Sequence, residues 1–495
     1  MKKLVLLMLI CSALAANTQP NFYKERYRPQ FHFSTQRNWI NDPNGLIYHN
    51  GEYHLFYQHN PFGNNWGHMS WGHAVSKDLL KWKELPVAIK ETNDKMIFSG
   101  SMVADLKNRS GLGKNKEDVP LVAIYTAHDS ALQNQYLAYS IDGGKSFSNY
   151  TGNPVLDLQM KDFRDPNVFW YEAGKKWIMS VAMPNEKMIS FYSSFSLKQW
   201  KYEGDFGPVG DLSGVWECPD LIQVPIVGEP LKKKWVLLVS QNSSMQYFVG
   251  NFNGSKFFNE NPSNKIFRPD YGMDYYAAVS YKTTPDKIPV TIGWVNNWNY
   301  AGDIPTKPWK GAMSLPRKLA VKKMGNEWIL IQEPIKAINS LRSTAEVLKE
   351  PVSVKTNYTT PFKGQCFEME LDIRPTATSV SGVKIAVGGN RYFSIKYVAN
   401  VEQLYIERTN PLVPFSVQYP FFNQKNAYLK TKNDLVHLHI YFDKSIVEVY
   451  ANNGELVFTS QVFPEESDTG IEFFSDGNAT VFENVWFWPM KSIWK

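Results

Sequence analysis

The sequence has 495 residues, of which 43% are hydrophobic and 20% charged, and its formal net charge is +6. A chain of this length exceeds what one hydrophobic core can organise, so we expect at least two domains. The positive charge is modest and spread along the chain, without the basic run that is typical of nucleic-acid binding. We therefore expect no nucleic-acid partner.

Residues 1–16 have the pattern of an export signal. Lys2 and Lys3 precede a short apolar run, and Ala13–Ala15 form a small-x-small cleavage site. The run is too short to span a membrane, and no later segment has the roughly 18 unbroken apolar residues that a spanning helix needs. The sequence therefore predicts a secreted, extracellular protein that has no membrane partner after cleavage.

The cysteines and the glycosylation sequons give little information about function. After cleavage only Cys218 and Cys366 remain, and we expect free thiols because they fall in different predicted domains. In a eukaryotic secretory pathway some of the N-x-Ser/Thr sequons would carry glycans. These sequons lie at Asn108, Asn149, Asn242, Asn253, Asn357 and Asn478.

The first 335 residues are dominated by short strands and turn signals, with a weak internal repeat. Ser76–Trp82 and Ser194–Trp200 share the pattern Ser-x-x-Leu-x-x-Trp, and Ser140–Phe147 and Asn251–Phe257 are similar turns that end in an aromatic residue. The repeats begin about 55–65 residues apart, a period that suits four-stranded propeller blades with generous loops. We predict an all-β, five-bladed β-propeller over residues 28–335, although the repeat could also arise by chance.

The pattern changes after residue 335. The segment 335–342 is a short helical piece, and we read residues 336–345 as the linker. Beyond it, apolar and polar residues alternate cleanly at 367–373 and at 437–442, and Asn452-Asn453-Gly454 reads as a hairpin turn. Residues 346–495 are therefore predicted to form a β-sandwich.

Asp42 lies in the sequence Asn41-Asp42-Pro43-Asn44-Gly45, which predicts a tight polar turn at the entrance to a strand. A carboxylate held there could act as a nucleophile. Read alone, the same residues could simply let Asp42 cap its own turn.

Two further acids stand in similar places. Asp165 follows Arg164 and precedes a proline, and an adjacent arginine favours the ionised carboxylate. Glu217 lies between Trp216 and Cys218, and such an apolar setting favours the protonated carboxyl that a general acid requires. Each acid precedes an apolar strand, and radial repetition of blades would aim all three at one axis.

Together these segments resemble glycoside hydrolase family 32, which contains invertases, inulinases and levanases. The resemblance covers nearly the whole mature chain, and no catalytic position departs from the family pattern. It rests on Trp39 to Gly45, Gln58-x-Asn60-Pro61, Trp66-Gly67, Trp71-Gly72-His73, Phe98 to Ser101, Arg164-Asp165-Pro166 and Glu217-Cys218-Pro219.

The resemblance implies a secreted β-fructofuranosidase that hydrolyses terminal β-fructosides with retention of configuration. Asp42 would be the nucleophile, Glu217 the acid/base and Asp165 a stabiliser of the transition state, with nucleophile and acid about 5–5.5 Å apart. The substrate would be a small carbohydrate, either sucrose or a fructo-oligosaccharide, and no cofactor is implied. The residues implied in fructose binding are Trp39, Asn41, Gln58, Trp66, Phe98, Ser99 and Arg164, with Tyr276 and Trp309 as further candidates at the rim.

Other chemistries fit the sequence less well. No His-Glu-x-x-His motif is present, so we predict no metal site, and His73 reads as a structural hydrogen-bonding residue. Ser99 and Ser101 lie in no nucleophile elbow, and Cys218 has no evident partner base. The alternatives left open are a fructosyltransferase, an exo-hydrolase that prefers fructans, and an inactive sugar-binding protein on the same scaffold.

Overall fold

The structure is a computed structural model that describes residues 22–92, 94–409 and 423–494. The predicted export signal lies outside the described residues. The chain forms an N-terminal five-bladed β-propeller followed by a C-terminal β-sandwich, so the predicted all-β fold is confirmed. Among the described residues, no helix has the length and apolar character needed to cross a membrane.

The first three blades are antiparallel sheets whose strands follow one another along the chain. Their strands are β1 (Asn38–His49), β2 (Glu52–Asn60), β3 (Ser70–Ser76), β4 (Trp82–Ile89), β5 (Met96–Ala104), β6 (Leu121–His128), β7 (Gln133–Ser140), β8 (Ser148–Asn149), β9 (Leu156–Met160), β10 (Arg164–Tyr171), β11 (Lys176–Met183), β12 (Met188–Ser194) and β13 (Lys201–Phe206). A single 3-10 turn, Glu172–Gly174, joins β10 to β11.

The fourth and fifth blades are joined where the strand Trp216–Ile226 pairs with the strand Arg317–Met324, and the short strand Trp309–Lys310 pairs with β1. This second pairing connects the last part of the propeller to the first blade. The strands are β14 (Trp216–Ile226), β15 (Glu229–Gln241), β16 (Ser244–Phe252), β17 (Phe257–Asn259), β18 (Tyr276–Tyr281), β19 (Val290–Val295), β20 (Trp309–Lys310), β21 (Ala312–Met313), β22 (Arg317–Met324) and β23 (Glu327–Pro334).

The repeat seen in the sequence corresponds to one structural position. Each of the four repeated turns joins the third strand of a blade to the fourth, in blades one to four. Three of the four repeats begin with a serine that caps the turn; the Ser76 hydroxyl, for example, accepts the backbone N–H of Asp78 at 3.2 Å. Similar local chemistry thus recurs because each blade needs the same polar turn.

After the 3-10 helix Lys336–Leu341, two sheets pack face to face around one apolar core. The alternation predicted at 367–373 and 437–442 is confirmed in the strands Cys366–Arg374 and Val436–Asp443. The strands are β24 (Glu346–Leu348), β25 (Val352–Val354), β26 (Asn357–Lys363), β27 (Cys366–Arg374), β28 (Val380–Gly388), β29 (Arg391–Val398), β30 (Gln403–Arg408), β31 (Gln424–Tyr428), β32 (Val436–Asp443), β33 (Ile446–Ala451), β34 (Leu456–Gln461), β35 (Gly470–Ser475) and β36 (Thr480–Pro489). A 3-10 turn, Ala399–Val401, lies between β29 and β30.

The two domains are joined by buried polar contacts. Arg317 of the propeller lies 2.9 Å from Asp270 and 2.9 Å from Glu448 of the sandwich. His32 contacts both Asp443 and Glu448, and these hydrogen bonds outweigh its burial and raise the pKa of His32 to about 9. A charged histidine and a charged arginine therefore face two sandwich carboxylates across the interface.

Candidate active site

The five strands nearest the propeller axis, β1, β5, β10, β14 and β18, contact one another in a ring. Each has a register irregularity close to its N-terminal end, where it pairs with its neighbour in the blade. A β-bulge bends a strand and redirects the side chain at the extra residue. The five irregularities therefore turn residues at one end of the propeller towards the common axis.

The acids sit at these irregularities. Asp42 lies within the one in β1, Asp165 within that of β10, and Glu217 at the edge of that in β14. Asp165 and Cys218 have φ values of 64° and 48°, which is the left-handed conformation that L-residues adopt rarely. The sequence predicted turns before the strands, and this was wrong, because the acids lie within the strands at bulges. A proline is tolerated at a bulge, where its missing N–H interrupts no ladder bond.

Asp42 is 9% exposed and has a donor on each carboxylate oxygen. Ser99 donates its hydroxyl to Oδ2 at 2.6 Å, and the Asn41 amide donates to Oδ1 at 3.0 Å. Trp39 in turn donates its indole N–H to Asn41 Oδ1 at 2.8 Å, which orients that amide. Burial raises the pKa of Asp42, while the Ser99 and Asn41 bonds oppose the shift by favouring the ionised form.

Asp165 and Cys218 form a link between the acids. The backbone N–H of Cys218 donates to Asp165 Oδ2 at 2.9 Å. The Cys218 Sγ lies 3.5 Å from an oxygen of Asp42 and 3.5 Å from an oxygen of Asp165. Burial raises the pKa of the thiol well above the usual value, so it stays protonated and can donate its single proton to either of the two carboxylates.

Glu217 is held by a cation on one oxygen and a phenol on the other. Arg164 donates to Oε1 from Nε at 3.1 Å and from Nη2 at 3.0 Å, and Tyr276 donates its hydroxyl to Oε2. Arg164 is itself fixed by Asp162 at 2.9 Å and by Gln133 at 3.2 Å. The side chain of Glu217 remains 22% exposed, so it can reach a bound ligand.

Two electrostatic expectations from the sequence are corrected. Arg164 forms its ion pairs with Glu217 and Asp162 rather than with its neighbour Asp165. Burial raises the pKa of Asp165, and the nearby carboxylates of Glu217 and Asp42 raise it further, whereas Arg164 only partly offsets this. The setting of Glu217 is polar, contrary to the apolar one inferred from Trp216 and Cys218. Arg164 and Asp165 are adjacent in β10, where successive side chains point to opposite faces, so Arg164 does not become the ion-pair partner of Asp165.

The residues predicted to bind fructose differ in how far they are exposed to solvent. Gln58 is buried and donates to the Ile97 carbonyl at 3.0 Å, directly before Phe98 and Ser99. Phe98 packs edge-on against Trp66, which is 47% exposed. An exposed indole beside a row of polar groups can cover the apolar face of a sugar.

Trp309 does not fit the pocket to which the sequence assigned it. Its indole is 2% exposed, and the Arg28 guanidinium lies 3.6 Å from the ring centroid. A ring covered in this way cannot stack on a substrate. Trp298 is a better candidate that the sequence reasoning missed, since it is 38% exposed and packs against Trp39 and Trp294.

Two further features of the molecule lie away from the three acids, a cluster of titratable side chains and a cavity. Within the part of the chain that the structure describes, Glu368, Glu370 and His439 lie close enough to share a cation. Glu368 is already bound by Arg342 through two hydrogen bonds, at 2.7 and 2.6 Å, and His439 donates to it, so its charge is neutralised. A cavity of about 990 Å³ is lined by later residues of the inner strands, such as Tyr48 and Phe169, and by none of the three acids.

The fold and the grouped carboxyls are those of a glycoside hydrolase, and comparisons with known proteins identify the family. Residues 32–334 match the glycosyl hydrolases family 32 N-terminal domain, and residues 337–489 match the glycosyl hydrolases family 32 C-terminal domain. The chain belongs to this family.

Relatives show the same assignment along the whole chain. The levanase of Bacillus subtilis is 42% identical, over 99% of this chain and 74% of that protein. The extracellular exo-inulinase of Aspergillus niger is 36% identical, over all of both chains. The solved structure of a β-fructofuranosidase from Schwanniomyces occidentalis, complexed with fructosyl-erythritol, is 30% identical with a TM-score of 0.84, and the match covers 95% of this chain and 99% of that one.

Because the carboxyl of Asp165 is buried, we expect its removal to raise the stability of the protein while activity is lost. The pKa of Asp165 is higher in the folded than in the unfolded chain, so ionising Asp165 lowers the free energy of unfolding. This destabilisation is complete at pH values above the folded-state pKa and is absent at pH values below the unfolded-state pKa. We expect Asp165→Asn to lose activity yet raise Tm by about 2 °C at pH 8, with little gain at pH 4. Thermal denaturation followed by circular dichroism at both pH values measures this.

Asp142 provides a control of opposite sign. It is only slightly buried, and hydrogen bonds from Ser140 and Ser146 lower the pKa of Asp142 to about 2. Ionised Asp142 stabilises the fold fully at pH values above its unfolded-state pKa, and this stabilisation is lost as the pH falls towards 2. Asp142→Asn should therefore lower Tm at pH 8. An Asp165→Asn variant that loses stability at pH 8 would show that the buried carboxylate is a net stabilising group.

Proposed function

We propose that the protein is a secreted β-fructofuranosidase that removes terminal β-fructose, with sucrose as its leading substrate. The observation that carries the proposal is that bulges in the inner strands bring Asp42, Asp165 and Glu217 to one end of the propeller axis. Relatives named levanase and exo-inulinase support the fructoside class. Secretion is supported by the predicted export signal and by the relative named extracellular.

The reaction would proceed by double displacement. Asp42 attacks the anomeric carbon of fructose, and the bond to the leaving oxygen breaks as Glu217 gives that oxygen its proton. Water then attacks the fructosyl–Asp42 ester while Glu217 takes back a proton, and fructose is released with retained configuration.

The neighbouring residues suit these roles. Donors from Ser99 and Asn41 favour the ionised form of Asp42 and fix its direction of attack. Asp165 would accept hydrogen bonds from fructose hydroxyls that strengthen as positive charge develops on the ring. Arg164 and Tyr276 would hold Glu217 beside the leaving oxygen, and Gln58, Trp66 and Phe98 would bind the sugar.

The proposed division of labour follows the chain. Residues 28–335 would carry all catalytic groups, residues 336–345 would connect the domains, and residues 346–495 would contribute no group that touches substrate. Substituting the exposed Glu466 should then leave kcat on sucrose unchanged, and a large loss of kcat with folding preserved would contradict the division.

The proposal predicts exo-action. The three acids lie close together at one end of the propeller axis and would act on a single terminal sugar, so inulin should be shortened one fructose at a time. Free fructose should be the main early product when a digest of inulin is followed by chromatography. Early release of long oligosaccharides without fructose would indicate endo-action, and transfer products from sucrose would indicate a fructosyltransferase.

A further inference from the structure

The segment that leads into β18 connects the sandwich to the acid Glu217. Tyr276 is the first residue of β18, and its hydroxyl donates to Glu217 Oε2. Two residues earlier, Asp274 is completely buried, and its Oδ2 accepts the backbone N–H of Gln461 at 2.7 Å. The same oxygen lies 3.5 Å from Arg408 Nη1. Both Gln461 and Arg408 belong to the sandwich.

Backbone contacts fix the same segment along β34. The N–H of Tyr271 donates to the Val457 carbonyl at 2.8 Å, and the N–H of Asp274 donates to the Thr459 carbonyl at 3.1 Å. Gly272 permits this approach, because a Cβ there would lie 2.0 Å from the Thr459 carbonyl oxygen. Residues 271–274 are thus held by the sandwich edge rather than by the propeller alone.

The propeller holds the other side of Tyr276. Ala277 adopts a left-handed conformation with φ of 53°, and its N–H donates to Ser240 Oγ at 3.0 Å. The Met273 carbonyl accepts a hydrogen bond from the Asn297 amide at 2.7 Å. The segment before Tyr276 is therefore held by the sandwich and by one propeller contact at Met273, and Ala277, directly after Tyr276, is held by the propeller.

We propose that Asp274, held by Gln461 and Arg408 of the sandwich, is a positioning residue that places the Tyr276 hydroxyl on Glu217. The sandwich is then part of the apparatus that orients the acid/base, although none of its residues touches substrate. This inference rests on the proposed role of Glu217 as the acid/base.

The leaving-group dependence of kcat/KM tests the inference. The departing oxygen of sucrose needs a proton from Glu217, whereas a nitrophenolate leaves without one. Asp274→Asn and Gly272→Ala should lower kcat/KM for sucrose by about 10–100-fold and for a nitrophenyl β-fructoside by less than about threefold. Tyr276→Phe should show the same selectivity, because it removes the hydrogen bond directly.

Asp443 offers a matched control in the same interface. It is also completely buried in the sandwich, and it accepts backbone N–H groups of Gln30, Phe31 and His32 at 2.5, 2.8 and 2.9 Å. Asp443→Asn should lower Tm, because it weakens the contact between the domains. It should leave the ratio of the two kcat/KM values as in the wild type, since none of these contacts reaches Tyr276.

The outcomes are distinct. If the Asp274 and Gly272 variants lower both kcat/KM values equally, or resemble Asp443→Asn, while Glu217→Ala keeps its leaving-group dependence, the positioning role is overturned. If Glu217→Ala shows no such dependence, the proposed function itself fails. If neither Asp274→Asn nor Gly272→Ala folds, Tyr276→Phe tests the inference instead. A loss of kcat/KM that is larger for sucrose than for the nitrophenyl β-fructoside supports it, and an unchanged ratio of the two kcat/KM values overturns it.

Discussion

Asp42→Ala is expected to lower kcat on every fructoside by about 10⁴-fold or more, whatever the leaving group. The variant lacks the carboxylate that would form the fructosyl ester, and neither Ser99 nor Asn41 can replace it. Activity should be measured on sucrose, inulin and a nitrophenyl β-fructoside. The loss should be similar on all three, because the missing step is common to them.

Folding of this variant can be checked independently. Burial raises the pKa of Asp42, so removing the carboxylate should not destabilise the protein at neutral pH, and its Tm should equal or exceed that of the wild type. Peptide mass spectrometry of wild-type protein quenched during turnover should find fructose attached to the peptide that contains Asp42. Attachment at Asp165 instead would reassign the nucleophile.

The sequence was sufficient for the fold and for the grouping of the acids. The four turns that end in an aromatic residue proved to occupy the same position in successive blades, because each blade needs the same polar connection between its outer strands. The prolines after Asp42, Asp165 and Cys218 marked the places where the inner strands depart from regular pairing. Radial repetition then required those places to meet at one axis.

The partners of the acids could not be predicted in the same way. Arg164 precedes Asp165 in the sequence, yet it pairs with Glu217, which lies 53 residues further along the chain and on the next blade. Such pairings depend on the twist of each strand and on which face the bulge exposes. The prediction for Trp309 was wrong because its ring is covered by Arg28, a residue of the N-terminal segment that is far from Trp309 in the sequence.

The sequence also did not predict the contacts that connect the sandwich, through Asp274 and Tyr276, to Glu217. Asp274 and Tyr276 are near neighbours in the chain, and Tyr276 was predicted to lie at the rim of the pocket. Only the fold shows that Asp274 points to Gln461 and Arg408 while Tyr276 points to Glu217. In a strand, residues two apart share a face, but Asp274 lies before β18 begins, so this rule does not predict where its side chain points.

Glu217→Ala is expected to separate the two halves of the reaction. General acid catalysis typically contributes about 10²–10⁴-fold, so kcat/KM for sucrose should fall by that amount. Formation of the fructosyl-enzyme from a nitrophenyl β-fructoside should lose much less, because its leaving group needs no proton. Water lacks its base in the second step, so the ester accumulates and rapid mixing should show a burst of nitrophenolate.

Azide provides the decisive measurement on this variant. A small anion needs no base, so azide should attack the fructosyl–Asp42 ester, speed turnover and give a β-configured fructosyl azide. The space left by Glu217 is bordered by Arg164 and Tyr276, a cation and a hydroxyl that favour an anion there. In Asp42→Ala no ester forms, so any azide product should have inverted configuration. Equal losses on both substrates, with neither a burst nor an azide effect, would remove Glu217 as the acid/base and make Asp165 the next residue to test.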